Sequence, residues 1–427
     1  MKNFLSLEKV YLMLVWKNFF QQVKKNKIAK NTVWMLIGYV AKIGLQAITF
    51  VLLARELGIE GFGMFSSTLA VASIIAPFVH LGAYNMVIEN IMRGIPVSKA
   101  VGNNLAISLL ALPVGVLIVG IVSFYLKTSI FVSINISIAI FLGGVLISIN
   151  KAVNISKETL KYNSYLEMLL GLLQIISALI LARLGGTVLD WSIYYLICNL
   201  FAGTIAIVII IKRYGWIDFN LLRLKNSFRS GLHFAFAGLA NNGLFDIDKT
   251  MLTKFASLEA TGIFSVAQRV VSMVFLPVMA FLGAVYPRFV NLDNNGYFKS
   301  RRLAFRIIPI ISAYSLVAVL TVWGFAPLLV GIIGEEFTDA VIAIRILGVL
   351  IIIQGLQYPF ADALTGSGHQ KIRTYGQISI LILNIVMNLA LIPNFGWVGA
   401  AWGSLISQLV FLIFLCLAPI ILIRKKS

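Results

Sequence analysis

Charged residues are scarce in this sequence. Only 12% of its 427 residues are Asp, Glu, Lys or Arg, whereas 59% are hydrophobic; soluble domains usually carry about 25% charged residues. Two cysteines provide no disulfide framework, and the three histidines do not join them in a metal-binding pattern. A G-x-x-x-x-G-K-[ST] phosphate loop is also missing, so ATP does not drive the chain through such a loop. The composition excludes a water-soluble enzyme or nucleic-acid-binding domain.

The sequence contains instead a series of long apolar runs. About twenty apolar residues cross a bilayer as a helix, and runs of this length follow one another with short connections. We therefore predict an all-α polytopic membrane protein with about twelve transmembrane helices. The predicted spans are 31–54, 63–88, 101–126, 129–150, 162–184, 190–211, 229–256, 260–287, 303–330, 341–364, 374–393 and 397–423.

The basic residues indicate an orientation for these spans. The net charge of +19 could suggest nucleic-acid binding, but in membrane proteins Lys and Arg collect in cytoplasmic loops. With a cytoplasmic N-terminus, 27 of the 35 basic residues fall on the cytoplasmic side of the predicted spans and only four on the other side. We predict that both termini are cytoplasmic and that nucleic acid is not a partner.

An internal repeat divides the predicted helices into two sets. Residues 53–71 align without gaps on residues 252–270, with Glu, Gly, Phe, Ser and Val recurring at an offset of 199. Six spans separate the copies, and an even number gives both sets the same orientation. We predict two six-helix lobes, residues 31–225 and 226–427. Residues 1–30, where seven lysines alternate with aromatic residues, are predicted to lie in the membrane interface.

These blocks resemble signatures of a known family. They are LARELGIEGFGMFS at 53–66, following NTVW at 31–34, then DKTML at 248–252, GIFS at 262–265 and LIPNFGWVGAA at 391–401. Together they resemble the Wzx-type O-antigen and capsule-unit flippases of the multidrug/oligosaccharidyl-lipid/polysaccharide exporter superfamily. The resemblance implies a MATE-like fold around a central cavity. It also implies a flippase that moves undecaprenyl-pyrophosphate-linked oligosaccharides from the cytoplasmic to the periplasmic leaflet of a bacterial inner membrane.

The resemblance further implies which partners the protein has. They are the lipid-linked oligosaccharide, membrane lipids and a coupling ion, H⁺ or Na⁺, with a polysaccharide polymerase and a chain-length regulator as candidate protein partners. Neither a cofactor nor a metal is expected, and no residue is expected to be catalytic.

Four basic residues are candidates for binding the pyrophosphate. An unsatisfied sugar hydroxyl costs about 2–7 kcal/mol in hydrocarbon, so the substrate head needs a polar passage, and its phosphates need fixed positive charge. Lys42, Lys249 and Arg269 lie inside predicted spans, and Arg55 ends the first one. Each has a structural alternative. Lys42 could snorkel to the interface or form a structural pair, and Arg55 could snorkel to the interface. Lys249 and Arg269 could neutralise acidic side chains.

Four acidic residues are candidates for ion coupling or gating. Asp246 is three residues before Lys249 and shares its helix face, whereas Asp248 points elsewhere. We favour Asp248 because it matches the family block, and the alternative for this group is an ion pair within the helix. Glu89 and Asp362 lie near predicted cytoplasmic ends of spans, where they could gate the passage or simply face water.

Other functions remain as alternatives. A cation-coupled drug exporter of the same fold should have an acidic, aromatic cavity, whereas the central charge of the first span here is Lys42. A membrane polymerase or ligase needs a large external loop to hold the glycan, and no predicted external loop exceeds about a dozen residues. A scaffold for polysaccharide assembly would lack flipping activity altogether.

Overall fold

The described part of the protein is almost entirely helical. The computed structural model describes residues 27–219, 224–291 and 297–424. Residues 1–26, most of the predicted interfacial segment, therefore lie outside the described residues. The helices are α1 (Lys27–His80), α2 (Ala83–Met92), α3 (Val97–Leu126), α4 (Ile130–Ile138), α5 (Gly144–Ser156), α6 (Lys161–Leu184), α7 (Val188–Tyr214), α8 (Leu224–Phe255), α9 (Leu258–Asn291), α10 (Tyr297–Ile333), α11 (Ala340–Gly366) and α12 (Gln370–Arg424), with a π-helical turn at Ala139–Gly143 between α4 and α5.

Nine helical stretches in the described part of the chain are long and apolar enough to cross a membrane. They make the chain a multi-pass membrane protein. The stretches Ala41–Met92 and Gln370–Ala418 have 52 and 49 residues, about twice the length that one crossing needs.

A single glycine interrupts each of the two longest helices. Gly58 in α1 has φ 65° and ψ −179°, and Gly396 in α12 has φ 54° and ψ −133°, so neither residue is helical. Glycine adopts a positive φ at little cost because it has no Cβ. The loops that the sequence predicts at these two places are therefore sharp breaks inside continuous helical segments.

The second predicted span is shorter in the structure than in the sequence-based assignment. Its helix ends at His80 because Leu81 and Gly82 both adopt left-handed backbone angles, with φ 43° and 66°. The chain then resumes as the separate short helix α2. The predicted span 63–88 ran through this turn because its residues are apolar on both sides of it.

The first and second halves of the chain meet mainly through three helices. Helix α1 packs on α6 of its own half and on α8 and α9 of the second half, while α9 also packs on α11. One hydrophobic core runs through this junction and includes Phe65, Trp191, Phe264, Phe289 and Phe337. A smaller core joins α2, α3, α5 and α7 within the first half.

The two copies of the repeat lie directly against each other. A Cβ atom at Gly63 would collide with the carbonyl oxygen of Leu258, and one at Gly262 would collide with the carbonyl oxygen of Ile59. Glu336 Oε2 accepts a hydrogen bond of 3.2 Å from the Ile59 amide nearby. We call this end of the bundle the Gly58 end, and the opposite end, near Gly82 where α1 stops, the Gly82 end.

Candidate functional site

A polar cavity of about 140 Å³ lies at the junction of the two halves. Side chains from α1, α6, α7, α8 and α9 form its wall, so neither half encloses it alone. At about 30 Å³ per liquid water molecule, this volume holds only a few waters, and a larger ligand would require the halves to move apart. Its lining residues are Gln46, Thr49, Phe50, Leu53, Phe62, Phe65, Ser66, Leu69, Gln174, Trp191, Tyr195, Lys249, Ser265, Gln268, Arg269 and Ser272.

Two of the predicted cations line this cavity. Lys249 Nζ lies 2.7 Å from Asp246 Oδ1, so the predicted pairing of these residues along one face of α8 is present. Arg269 on α9 belongs to the cavity wall, and the residue is exposed. Among the described residues it has no carboxylate within ion-pair distance. The three side chains together give the cavity one excess positive charge.

Lys42 lies just outside the cavity, in a cluster with residues that the sequence analysis did not select. Its Nζ is 3.1 Å from Glu167 Oε2 on α6, and the other oxygen of Glu167 pairs with Lys151 on α5. A carboxylate inside the apolar run 162–184 is itself an unusual feature of the sequence. That signal could have identified Glu167, whereas Lys151 lies just after the predicted span 129–150 and gives no such signal.

Asp248 faces away from the cavity and into the second half. Its carboxylate accepts hydrogen bonds from Asn388 Nδ2 at 2.5 Å and from Ser404 Oγ at 2.6 Å, both on α12. Asn388 also donates to Asn384 Oδ1 at 3.1 Å, and Asp248 is buried. In the described part of the chain no basic side chain pairs with Asp248.

A second, smaller cavity of about 30 Å³ adjoins the Asp248 network. Asp248, Asn384 and Ser404 line it, together with Gln268 and Ser272, which also line the larger cavity. Two residues of α9 therefore separate the cationic cavity from a pocket that contains carboxylate, amide and hydroxyl oxygens. Oxygen ligands of this kind suit hard cations.

The remaining predicted site residues lie apart from both cavities. Arg55 is exposed at the Gly58 end and is not part of either cavity wall. Glu89 forms an exposed ion pair with Arg93 at 2.5 Å, near the Gly82 end. Asp362 on α11 pairs with Arg373 at 3.5 Å, so the structure does not bring these three together with Lys249 and Arg269.

Comparison with known proteins decides the family. The family model of polysaccharide biosynthesis proteins matches residues 28–293, more than half of the chain. The chain belongs to this family. A probable low-salt glycan biosynthesis flippase, Agl15 of Haloferax volcanii, is 24% identical over 395 residues, which cover 89% of this chain and 81% of Agl15.

Two solved structures show that the family member has a MATE-like fold. The lipid II flippase MurJ in an inward closed conformation is 11% identical with a TM-score of 0.72, covering 93% of this chain and 87% of MurJ. An inward-facing multidrug resistance transporter of the MATE family is 16% identical with a TM-score of 0.69, covering 93% and 96% of the two chains. The MATE-like fold implied by the sequence blocks is confirmed.

Proposed function

We propose that this protein is a flippase that carries an undecaprenyl-pyrophosphate-linked oligosaccharide, of the O-antigen or capsule type, across a bacterial inner membrane by alternating access. The observation that carries the proposal is one cavity shared by both halves of the chain, with Arg269 in its wall. An anionic head group could occupy such a cavity because a lone cation at membrane depth is costly without a partner. Membership of the polysaccharide biosynthesis family supports a glycan substrate.

Twelve membrane crossings in two six-helix lobes are part of this proposal. The breaks at Gly58 and Gly396 would make each of the two longest helices cross twice. Helix α8 carries Asp246, Asp248 and Lys249, which makes it less apolar than the other spans, and it would still cross the membrane beside the cavity. The positive-inside rule would place both termini and the Gly82 end in the cytoplasm.

Coupling to an ion gradient is the second part of the proposal. Asp248 is buried with neutral hydrogen-bond donors and lines a small cavity whose wall also includes Asn384 and Ser404. A buried carboxylate in such a place gains stability by binding H⁺ or Na⁺. Gln268 and Ser272 border both cavities. An ion bound at Asp248 would therefore change the position of residues in the wall of the proposed substrate cavity.

Reconstitution tests the transport function. Purified protein in liposomes should move a fluorescent lipid-pyrophosphate oligosaccharide to the opposite leaflet, which is measured by its access to a membrane-impermeant quencher. We expect Arg269→Gln to slow flipping by about tenfold or more, since it removes a charge that interacts with the substrate. Lys42→Ala and Lys249→Ala should likewise lower surface polysaccharide in cells while the protein still inserts.

Arg345→Gln is the matched control for Arg269→Gln, because Arg345 is exposed and lies outside the cavity wall. Its flipping rate should stay near that of the unsubstituted protein. If Arg269→Gln flips the lipid as fast as the unsubstituted protein, the proposal that this cavity binds the substrate is wrong. Transport of a cationic dye in place of the anionic lipid would favour a drug exporter, which the excess positive charge of the cavity argues against.

A further inference from the structure

Three helices of the first half contribute to one charged cluster. Glu167 on α6 holds Lys42 on α1 with one carboxylate oxygen, at 3.1 Å, and Lys151 on α5 with the other. One carboxylate therefore orders two lysines that come from different helices. The cluster carries one excess positive charge, because two cations share a single anion.

The cluster extends the polar wall of the cavity toward the Gly82 end. Gln46 follows Lys42 by one helical turn on α1, and Gln174 follows Glu167 by two turns on α6; both glutamines line the cavity. At 1.5 Å of rise per residue, the charged groups lie about 6–10 Å from these glutamines along the helix axes. A ligand moving between the Gly82 end and the cavity would pass this cluster first or last.

The charged groups of the cluster are partly exposed. The side chains of Lys42 and Lys151 are 33% and 30% exposed, and that of Glu167 is 15% exposed. A partly exposed ion pair can open and exchange partners at modest cost, because exposed pairs contribute little to stability. A purely structural pair would need neither partial exposure nor a second lysine.

We propose that Lys42 and Lys151 form a second anion site, for the pyrophosphate of the transported lipid, and that Glu167 is the internal counter-anion that occupies this site until the substrate arrives. The proposal rests on the proposed function for its substrate. The pyrophosphate replaces Glu167 at the two ammonium groups, so each lysine exchanges one oxygen partner for another. Glu167 is a positioning residue that keeps the site open to exchange and prevents it from binding the substrate too tightly.

Pyrophosphate binding tests the site directly. Inorganic pyrophosphate is titrated into purified protein in nanodiscs by calorimetry. Glu167→Gln should bind it about tenfold more tightly, since the lysines then lack a competing carboxylate. Lys151→Gln should bind it more weakly, Lys151→Arg should restore binding, and the double variant Glu167→Gln/Lys151→Gln should lose the gain.

The same variants are also compared in an Arg269→Gln background. This separates pyrophosphate binding at the cluster from pyrophosphate binding in the central cavity. Glu167→Asp serves as a second variant if Glu167→Gln fails to fold. Its shorter carboxylate should hold one lysine at a time and give a smaller gain. Glu89→Gln is the matched control, because it frees Arg93 from an exposed pair that belongs neither to the cavity wall nor to the cluster, and it should leave pyrophosphate binding unchanged.

Flipping kinetics separate this inference from the proposed function. In liposomes, Glu167→Gln should lower both the half-saturating lipid concentration and the maximal rate, because the substrate binds more tightly and leaves more slowly. Equal pyrophosphate binding in Glu167→Gln and the unsubstituted protein would overturn the anion site, even where flipping occurs. If pyrophosphate binding responds as expected and the lipid is not flipped, the anion site stands and the flippase proposal falls.

Discussion

The carboxylates near the cavity have different hydrogen-bond and ion-pair partners in the two halves of the chain. In the first half, Glu167 is shared by two lysines whose side chains are partly exposed. In the second half the carboxylates are separated: Asp246 holds Lys249, while Asp248, two residues away, is buried among amide and hydroxyl donors. The first arrangement suits exchange with an anion, whereas the second suits capture of a small cation.

Helical geometry explains how neighbouring residues come to differ so much. Asp246 and Lys249 are three residues apart and lie on one face of α8, toward the cavity. Asp248 is one residue before Lys249, about 100° around the helix, where it meets α12. One turn of α8 thus supplies a charge to the polar cavity and a carboxylate to the interior of the second half.

Removing the charge of Asp248 gives the largest expected effect. Asp248→Asn keeps the size of the side chain but cannot bind a cation electrostatically. Allosteric coupling energies of 1–3 kcal/mol correspond to about 5–150-fold changes, so we expect gradient-driven flipping to fall by about 100-fold. The measurement is the flipping rate in liposomes with and without an imposed H⁺ or Na⁺ gradient.

Asp246→Asn is the matched control for Asp248→Asn. It releases Lys249 into the cavity and leaves the Asn388–Ser404 network intact. The response to the gradient should persist in this variant, whatever happens to its basal rate. An unchanged gradient response in Asp248→Asn would contradict the division of roles between the two aspartates.

The contact between the repeat copies allows a test of how the halves move. Gly262→Ala introduces a Cβ that would overlap the Ile59 carbonyl oxygen. Overpacking costs about 1–3 kcal/mol, which should favour states with the Gly58 end open. A cysteine introduced as Ser66→Cys, with Cys198 and Cys416 replaced by serine, should then react about tenfold faster with an impermeant thiol reagent.

Gly283→Ala is the control for this glycine contact, because its added Cβ would meet no described atom within 4 Å beyond its own stretch of helix. Its labelling rate should match that of the parent protein. Equal labelling in Gly262→Ala and the parent would mean that the glycine contact does not hold the Gly58 end closed.

Much of the fold follows from the sequence, since the apolar runs predict the helices and the repeated blocks identify segments that meet in space. The pairing of Asp246 with Lys249 also follows, because both residues lie on one helix. The cluster of Lys42, Lys151 and Glu167 could not be assembled in this way, as its members come from three helices whose rotations depend on tertiary packing. The sequence does not predict the partners of Asp248 on α12 either, because they too depend on how the helices pack.

The smallest expected effect distinguishes the basic residues at matched positions of the repeat. Lys254 donates to the Tyr125 carbonyl oxygen at 3.0 Å, and its Nζ lies 3.5 Å from the centre of the Tyr125 ring. Arg55, its counterpart in the first copy, is exposed and forms no ion pair among the described residues. Lys254→Gln should therefore cost about 0.5–1 kcal/mol of stability, while Arg55→Gln should cost close to nothing. Thermal unfolding in detergent measures both, and equal losses would mean that the two halves use this position in the same way.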